Sequence, residues 1–124
     1  MAAASEKPAI VAAYLTDLIF QTKIVSTGQS LGAEVLVAGS PEALHKLVTE
    51  KCPGLVLLDL NARDALAALA EVAVNPRTHR VIAYVSHVDR ELADAARCAG
   101  VDDVLPRSRF VVELPGLIRS SLAE

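Results

Sequence analysis

The sequence predicts an α/β domain of three layers, a doubly wound parallel sheet of five strands with helices on both faces. Three observations carry this. Five short aliphatic runs alternate with five stretches of helical spacing. The run Leu55-Val56-Leu57-Leu58 is apolar at consecutive positions, with none of the alternation of a half-exposed strand, so it belongs to a strand covered on both sides. Caps and breakers punctuate every change of element, and crossovers of this kind are right-handed.

The first strand is expected at residues 8 to 15, opened by Pro8 and apolar through Tyr14 and Leu15. Thr16 or Asp17 can cap the helix that follows, whose Phe20, Ile24, Thr27, Gly28 and Leu31 fall on one face, with Gly32 closing it. Gly28 and Gly32 do not form a dinucleotide loop, because they lie inside or at the end of the helical stretch. A second strand is expected at 33 to 38. Ser40 as cap and Pro41 at the first helical position then start a helix to about Lys51, with Ala43, Leu44, Leu47 and Val48 inward and His45 on the surface.

Cys52-Pro53-Gly54 breaks that helix and feeds the central strand, 54 to 60, which ends in Asp59. An alanine-rich helix over roughly Arg63 to Val74 is expected to pack Leu66, Leu69, Ala70 and Ala73 before Asn75-Pro76 stops it. The fourth strand spans 80 to 86, with His79 a surface residue at the far end and Ser86 and His87 at the same end as Asp59. Asp89 caps a helix through Ala99 with Leu92, Ala95, Ala96 and Ala99 inward, Gly100 terminates it, and the last strand is 101 to 105. Because proline is tolerated in a first turn and not deeper, Pro115 places the start of the final helix near 112 to 114, with Leu117, Ile118 and Leu122 inward.

One domain, residues 8 to 124, follows from 124 residues of which 52% are hydrophobic, with residues 1 to 7 a flexible segment. A net charge of −3 without a Lys or Arg cluster gives no footprint for nucleic acid. No basic, apolar leader opens the chain and no apolar stretch approaches a membrane span, so a cytoplasmic setting without membrane contact is expected. Cys52 and Cys98 lie far apart without partners at metal spacing and are expected as reduced structural thiols.

Function is expected where strands end. Tyr14, Leu15, Thr16, Asp17, Asp59, Asn61, Ser86, His87, Arg107 and Ser108 converge on the carboxyl edge of the sheet, the crevice in which open α/β sheets hold their ligands. A carboxylate ending a buried strand is the anomaly there, and Asp59 is the first candidate. His87 beside Ser86 reads as a polar rim residue, since no Ser-His-Asp geometry can be demonstrated.

The residues Leu55-Val56-Leu57-Leu58-Asp59-Leu60, Ser86, and Gly100-Val101-Asp102-Asp103-Val104-Leu105 together resemble a response-regulator receiver domain over essentially the whole chain. The resemblance implies the flavodoxin-like strand order 2-1-3-4-5, Asp59 as phosphoacceptor and Ser86 as the switch hydroxyl. Arg107 stands where lysine is expected. It also implies an acidic pair for Mg²⁺ after the first strand, but those positions are Tyr14 and Leu15, leaving only Asp59 and the Asn61 carbonyl. The expectation is therefore a stand-alone, atypical receiver that needs no cofactor and is no enzyme. It would act by protein interaction with another signalling protein or a histidine kinase, or as a homodimer, through the fourth helix, fifth strand and fifth helix, where Val111, Val112 and Leu114 offer apolar surface.

The alternatives are a receiver that takes phosphate on Asp59 from a histidine kinase, with Mg²⁺, and a flavodoxin-like binder of a small molecule. Arg107 is expected to reach Asp59 and occupy the space of a metal and phosphate, since a guanidinium can grip a carboxylate through two parallel hydrogen bonds.

Overall fold

The computed structural model describes residues 9 to 74, 77, 79 to 86 and 89 to 122. The flexible segment expected at 1 to 7, the opening Pro8, the stop at Asn75-Pro76 and the rim residue His87 lie outside the described residues. The element order is β1 (Ala9–Tyr14), α1 (Leu18–Ser30), β2 (Ala33–Ala38), α2 (Pro41–Lys51), β3 (Leu55–Asp59), α3 (Ala65–Val72), β4 (Arg80–Val85), α4 (Arg90–Cys98), β5 (Asp103–Pro106) and α5 (Arg107–Leu122). The strands form one sheet in the order β2-β1-β3-β4-β5, with every neighbouring pair parallel. This is the expected three-layer, flavodoxin-like arrangement.

Side chains alternate between the two faces of the sheet and divide the core in two. Val56, Leu58, Val81 and Ala83 pack with Leu44, Leu69, Val72 and Ala96, which places α2, α3 and α4 on one face. Leu55, Leu57, Ile82 and Tyr84 pack with Phe20, Ile24, Phe110, Leu114 and Ile118, which places α1 and α5 on the other. All five residues of β3 are buried, as a doubly covered strand requires. Asp59 shares the α1/α5 face with Leu55 and Leu57 by alternation, and its ladder partner on β4 is Tyr84.

Two glycines fix the packing of loops and helices. A Cβ on Gly28 would overlap Val35 Cγ2, so α1 approaches β2 only through a residue without a side chain. Gly100, at φ +108°, would place a Cβ 3.1 Å from the Ala73 carbonyl oxygen, so it is constrained by both backbone conformation and space.

The helices depart from expectation in their faces and in one boundary. On α2 Ala43 is exposed and Leu44 alone is fully buried, while Leu47 and Val48 are half-buried. On α3 Leu66 and Ala70 face solvent, and Ala65, Ala68, Leu69 and Val72 face the core. On α4 Ala95 is exposed and Ala96 is buried. On α3 the alanines spread around the helix leave the apolar stripe weakly defined, and the sheet decides the rotation of the helix.

The boundary of α5 is the larger correction. The helix begins at Arg107 and runs through Pro115. An interior proline costs about 3 kcal/mol through its missing N–H and its clash with the preceding turn. Phe110, Leu114 and Ile118, spaced four apart on both sides of it, are all fully buried. Burying such side chains contributes roughly 1.5 to 3 kcal/mol each, which outweighs the penalty.

Candidate functional site

The carboxyl edge of the sheet gathers Asp59, Asn61, Ser86, Asp17 and Arg107, as expected, but connects them differently. Asp59 ends β3 and is 8% exposed. Its Oδ1 accepts a hydrogen bond from the Asn61 N–H at 2.8 Å. Burial raises its pKa above the ordinary carboxylate value. The Asn61 N–H and the positive charge of Arg107 work against that rise, and the negative charge of Asp17 adds to it.

Arg107 does not pair with Asp59. Its Nη2 donates to Asp17 Oδ2 at 3.1 Å, and its guanidinium carbon sits 4.1 Å from the centroid of the Phe20 ring. The expected Arg107–Asp59 grip is therefore replaced by a pair across the first turns of α1 and α5. The reason lies in the cap of α1. Asp17 Oδ1 accepts from the N–H groups of Ile19 and Phe20, both at 3.0 Å, which turns Oδ2 toward α5. The Phe20 N–H is the main cause that holds Asp17 below the usual carboxylate range, followed by the hydrogen bond from Arg107.

Asn61 and Ser86 join the loops after β3 and β4. Asn61 Oδ1 accepts from the Ser86 N–H at 2.6 Å. Asn61 thus fixes the carboxylate through its own N–H and the β4 loop through its side chain. Ser86 is exposed and meets Asn61 through its backbone.

The positions where the resemblance calls for acids are filled by other chemistry. Leu15 is buried, and the Tyr14 hydroxyl donates to the Arg63 carbonyl at 2.6 Å, tying the end of β1 to the loop after β3. Burial is the leading cause of the raised pKa of Tyr14. Among the described residues no group of three or more His, Cys, Asp or Glu could hold a metal. Asp17, the remaining nearby acid, has both oxygens engaged. These donors do not fit the near-octahedral oxygen set that Mg²⁺ demands.

Tyr84 is the residue that the sequence concealed within an apolar strand. Its ring stacks on Phe110 at 4.4 Å between centroids and lies 5.2 Å from Phe20. It is 1% exposed, and among the described residues its buried hydroxyl has no hydrogen-bond partner. Burial is the main cause of its strongly raised pKa, and the negative charge of Asp59 adds to it.

A groove of about 210 Å³ lies beside the mouth, between α4 and the edge strand β5, lined by Val85, Arg90, Ala93, Arg97, Val104 and Pro106. The apolar surface expected from α5 is smaller than the sequence suggested. Val112 is 78% exposed, but Val111 is half-buried against the core and Leu114 is fully buried.

Other residues singled out in the sequence lie away from this edge. His45 is exposed and pairs with Glu71 at 3.1 Å. His79 is half-buried, and not simply on the surface: its Nε2–H donates to the Val72 carbonyl at 2.6 Å. Cys52 and Cys98 are free and exposed, so neither is a core thiol.

No family model matches the chain, and no curated protein matches it. Solved structures do. A response regulator from Thermotoga maritima superposes with a TM-score of 0.76 at 14% identity, covering 95% of this chain and 100% of that one. A CheY-like response regulator receiver domain protein from Methanospirillum hungatei JF-1 gives 0.79 at 16% identity, covering 94% and 95%. An orphan response regulator of H. pylori gives 0.75 at 18%, covering 92% and 96%. The chain has the fold of a response-regulator receiver domain.

Proposed function

We propose that the chain is a receiver-like signalling module of two-component type that acts by docking another protein, and not as an enzyme. The observation that carries this is the composition of the mouth. A carboxylate ends the central strand, as in a phosphoacceptor, while Tyr14, Leu15 and the engaged Asp17 supply no ligand set for a hard cation, and Arg107 is held by Asp17. Without a metal, a phosphoryl group approaching Asp59 meets two carboxylates and one guanidinium, and the missing charge neutralisation is the larger part of what such a transfer needs.

The docking surface in this reading is the α4–β5 groove. Its apolar lining includes Val85, Ala93 and Val104, and its charged lining is Asp89, Arg90 and Arg97, the pairing of apolar centre and charged edge found in protein interfaces. A histidine kinase or another signalling protein is the partner class, a second copy of the chain would use the same face, and the setting is the cytoplasm. No described helix is long and apolar enough to cross a membrane.

The observation favouring a phosphoacceptor reading is that Asp59 Oδ1 alone carries the Asn61 hydrogen bond, which leaves the carboxylate further acceptor capacity. The small-molecule reading is weakened because Tyr14, Phe20, Tyr84 and Phe110, the only aromatic residues of the chain, are all buried, so none offers a ring for a flavin or base to stack on. Incubation with a small phosphodonor and Mg²⁺, followed by intact mass, tests the proposal. The expected result is an unmodified chain. A stoichiometric phosphoryl adduct that disappears in Asp59→Asn overturns it in favour of the phosphoacceptor.

A further inference from the structure

The two edges of the sheet are finished differently. β5 has four residues, ends in Pro106, which has no N–H to offer, and gives its Val104 N–H to Asp103 Oδ1 at 2.9 Å. Short length, a proline and a charged side chain turned onto the backbone all close an edge strand to further pairing. β2, at the other edge, has six residues without a proline and pairs only with β1. Among the described residues no backbone bond from a turn, loop or cap reaches positions 33 to 38. The outward N–H and C=O groups of β2 are therefore left to water or to another strand.

The side chains of β2 point the same way. Val35 and Val37 pack on the α1/α5 half of the core but stay half-buried. Gly28 brings α1 directly onto Val35, so the open side of Val35 is lateral, along the edge. Leu36 stands on the opposite face beside Ala12 of β1, and it is half-buried without packing into either half of the core. The only charge on the strand is Glu34, which is exposed.

We propose that β2 is the seat of a second copy of this chain, joined edge to edge by antiparallel β2–β2 pairing about a two-fold axis at Leu36. An axis perpendicular to the sheet matches each face to itself, so residues of the same face oppose one another. Centred on Leu36, each Val35 opposes a Val37 of the second copy, Leu36 opposes Leu36, and Glu34 opposes Ala38. The two Glu34 carboxylates then lie roughly 13 Å apart along the strands, beyond the screening length of about 8 Å at physiological salt. Other registers lose these pairs. Centring on Val35 sets Glu34 against Leu36, centring on Val37 sets Val35 against Gly39, and parallel pairing about a two-fold axis sets Glu34 beside Glu34.

The two sheets become one continuous sheet, with the α4–β5 grooves at its far edges and the two Asp59 mouths opening at opposite ends. One dimer thus presents two separate docking surfaces, and a partner with two sites gains from the effective concentration of the second. The inference goes beyond the proposed function and does not rest on it.

The test is sedimentation equilibrium over a concentration series with the parent chain, Leu36→Lys, Leu36→Glu and an equimolar mixture of the two variants. The parent is expected to dimerise reversibly. Each variant alone opposes like charges across the axis, and its dissociation constant should rise about tenfold or more. The mixture should recover association as a one-to-one heterodimer. A parent that stays monomeric throughout the series, a dimer retained at parental strength by both variants, or a mixture no tighter than its components overturns the pairing. Hydrogen exchange in the unmutated chain keeps the test independent of how the variants fold: outward amides within residues 33 to 38 should lose protection on dilution, and those of residues 103 to 105 should not. Protection of β2 that does not depend on concentration overturns the pairing as well. A phosphoryl adduct in the mass experiment would overturn the proposed function and leave the dimer as it is.

Discussion

The two ends of the sheet each hold an arginine, and the two are treated in opposite ways. At the amino end the Arg77 side chain is 9% exposed and donates to the carbonyls of His79, Ala73 and Gly100 and to Asp102 Oδ2. Asp102 Oδ2 also accepts from the Val81 N–H at 2.7 Å. Burial works against the charge of Asp102, but the Val81 N–H and Arg77 together hold its pKa below the ordinary value. The network fastens the ends of α3 and α4 to the starts of β4 and β5. At the carboxyl end Arg107 is half-buried, paired with a carboxylate that is already a helix cap, beside an acid raised by burial and a buried hydroxyl without a partner. One end is saturated and the other is left with unused hydrogen-bonding capacity. Saturation fixes a geometry, and unused capacity at low exposure is what a rearrangement can draw on.

The difference is broken most severely at the saturated end. Arg77→Met removes the cation from several buried acceptors and leaves Asp102 without its partner. The expected loss is about 3 kcal/mol, in the range for breaking a buried charge pair, tempered by the partial exposure of Asp102. Chemical denaturation measures it. A loss below about 1 kcal/mol would mean that water replaces the guanidinium and that the two ends do not differ in the way described.

At the open end the same kind of removal should stabilise. Asp59→Asn keeps an oxygen for the Asn61 N–H and deletes a buried charge, with an expected gain on the order of 1 kcal/mol at neutral pH. The gain has a defined pH dependence. Because the folded pKa is raised, the native state binds more protons than the unfolded chain between the unfolded value near 3.9 and the folded one, so parental stability falls as pH rises through that window. The advantage of Asp59→Asn is thus full above the raised pKa, shrinks as pH falls through it, and vanishes below both. A pH-independent difference would show that burial of the charge is not its source.

Tyr84→Phe follows in size. It removes a hydroxyl that is buried and unpartnered, and the ring contacts with Phe20 and Phe110 survive. The expected change is a gain of about 0.5 to 1 kcal/mol, since an unsatisfied buried group costs free energy that its deletion returns. A loss of that size instead would reveal a bonding partner for the hydroxyl in solution.

How far this contrast could be read in the sequence follows from what each feature depends on. Asp59 was legible because one acid ended an aliphatic run, and the caps Asp17, Ser40 and Asp89 were legible because a cap and its helix are neighbours in the chain. The seat of Arg107 was not. Asp17 follows β1 and Asp59 ends the neighbouring β3 at one edge of the sheet, and Arg107 pairs with Asp17, whose cap of α1 turns one oxygen toward α5. The network of Arg77 has no local signature either, since its partners Gly100 and Asp102 are remote in sequence. Tyr84 looked like one more apolar residue of β4, and only the stacking of Phe20 and Phe110 over it shows that its hydroxyl is sealed. The start of α5 differs from the one Pro115 predicts because the proline rule is local and the burial of Phe110, Leu114 and Ile118 is not.

The smallest expected effect belongs to Arg107→Ala in the parent chain. Both side chains of its pair are more than a third exposed, 35% and 41%, so water and salt screen the attraction. The stacking on Phe20 adds a contribution that is weak where the cation remains hydrated. Against these losses, the substitution removes the one cation whose charge eases the burial of Asp59, so it should also raise the Asp59 pKa slightly. The expected stability change is a small loss, below that of any substitution above in magnitude, and it should shrink further as salt is raised. Denaturant midpoints at low and high ionic strength measure it. A loss as large as that of Arg77→Met, insensitive to salt, would show that the carboxyl end is as rigidly built as the amino end, and the distinction between a buried and a partly exposed arginine would fail.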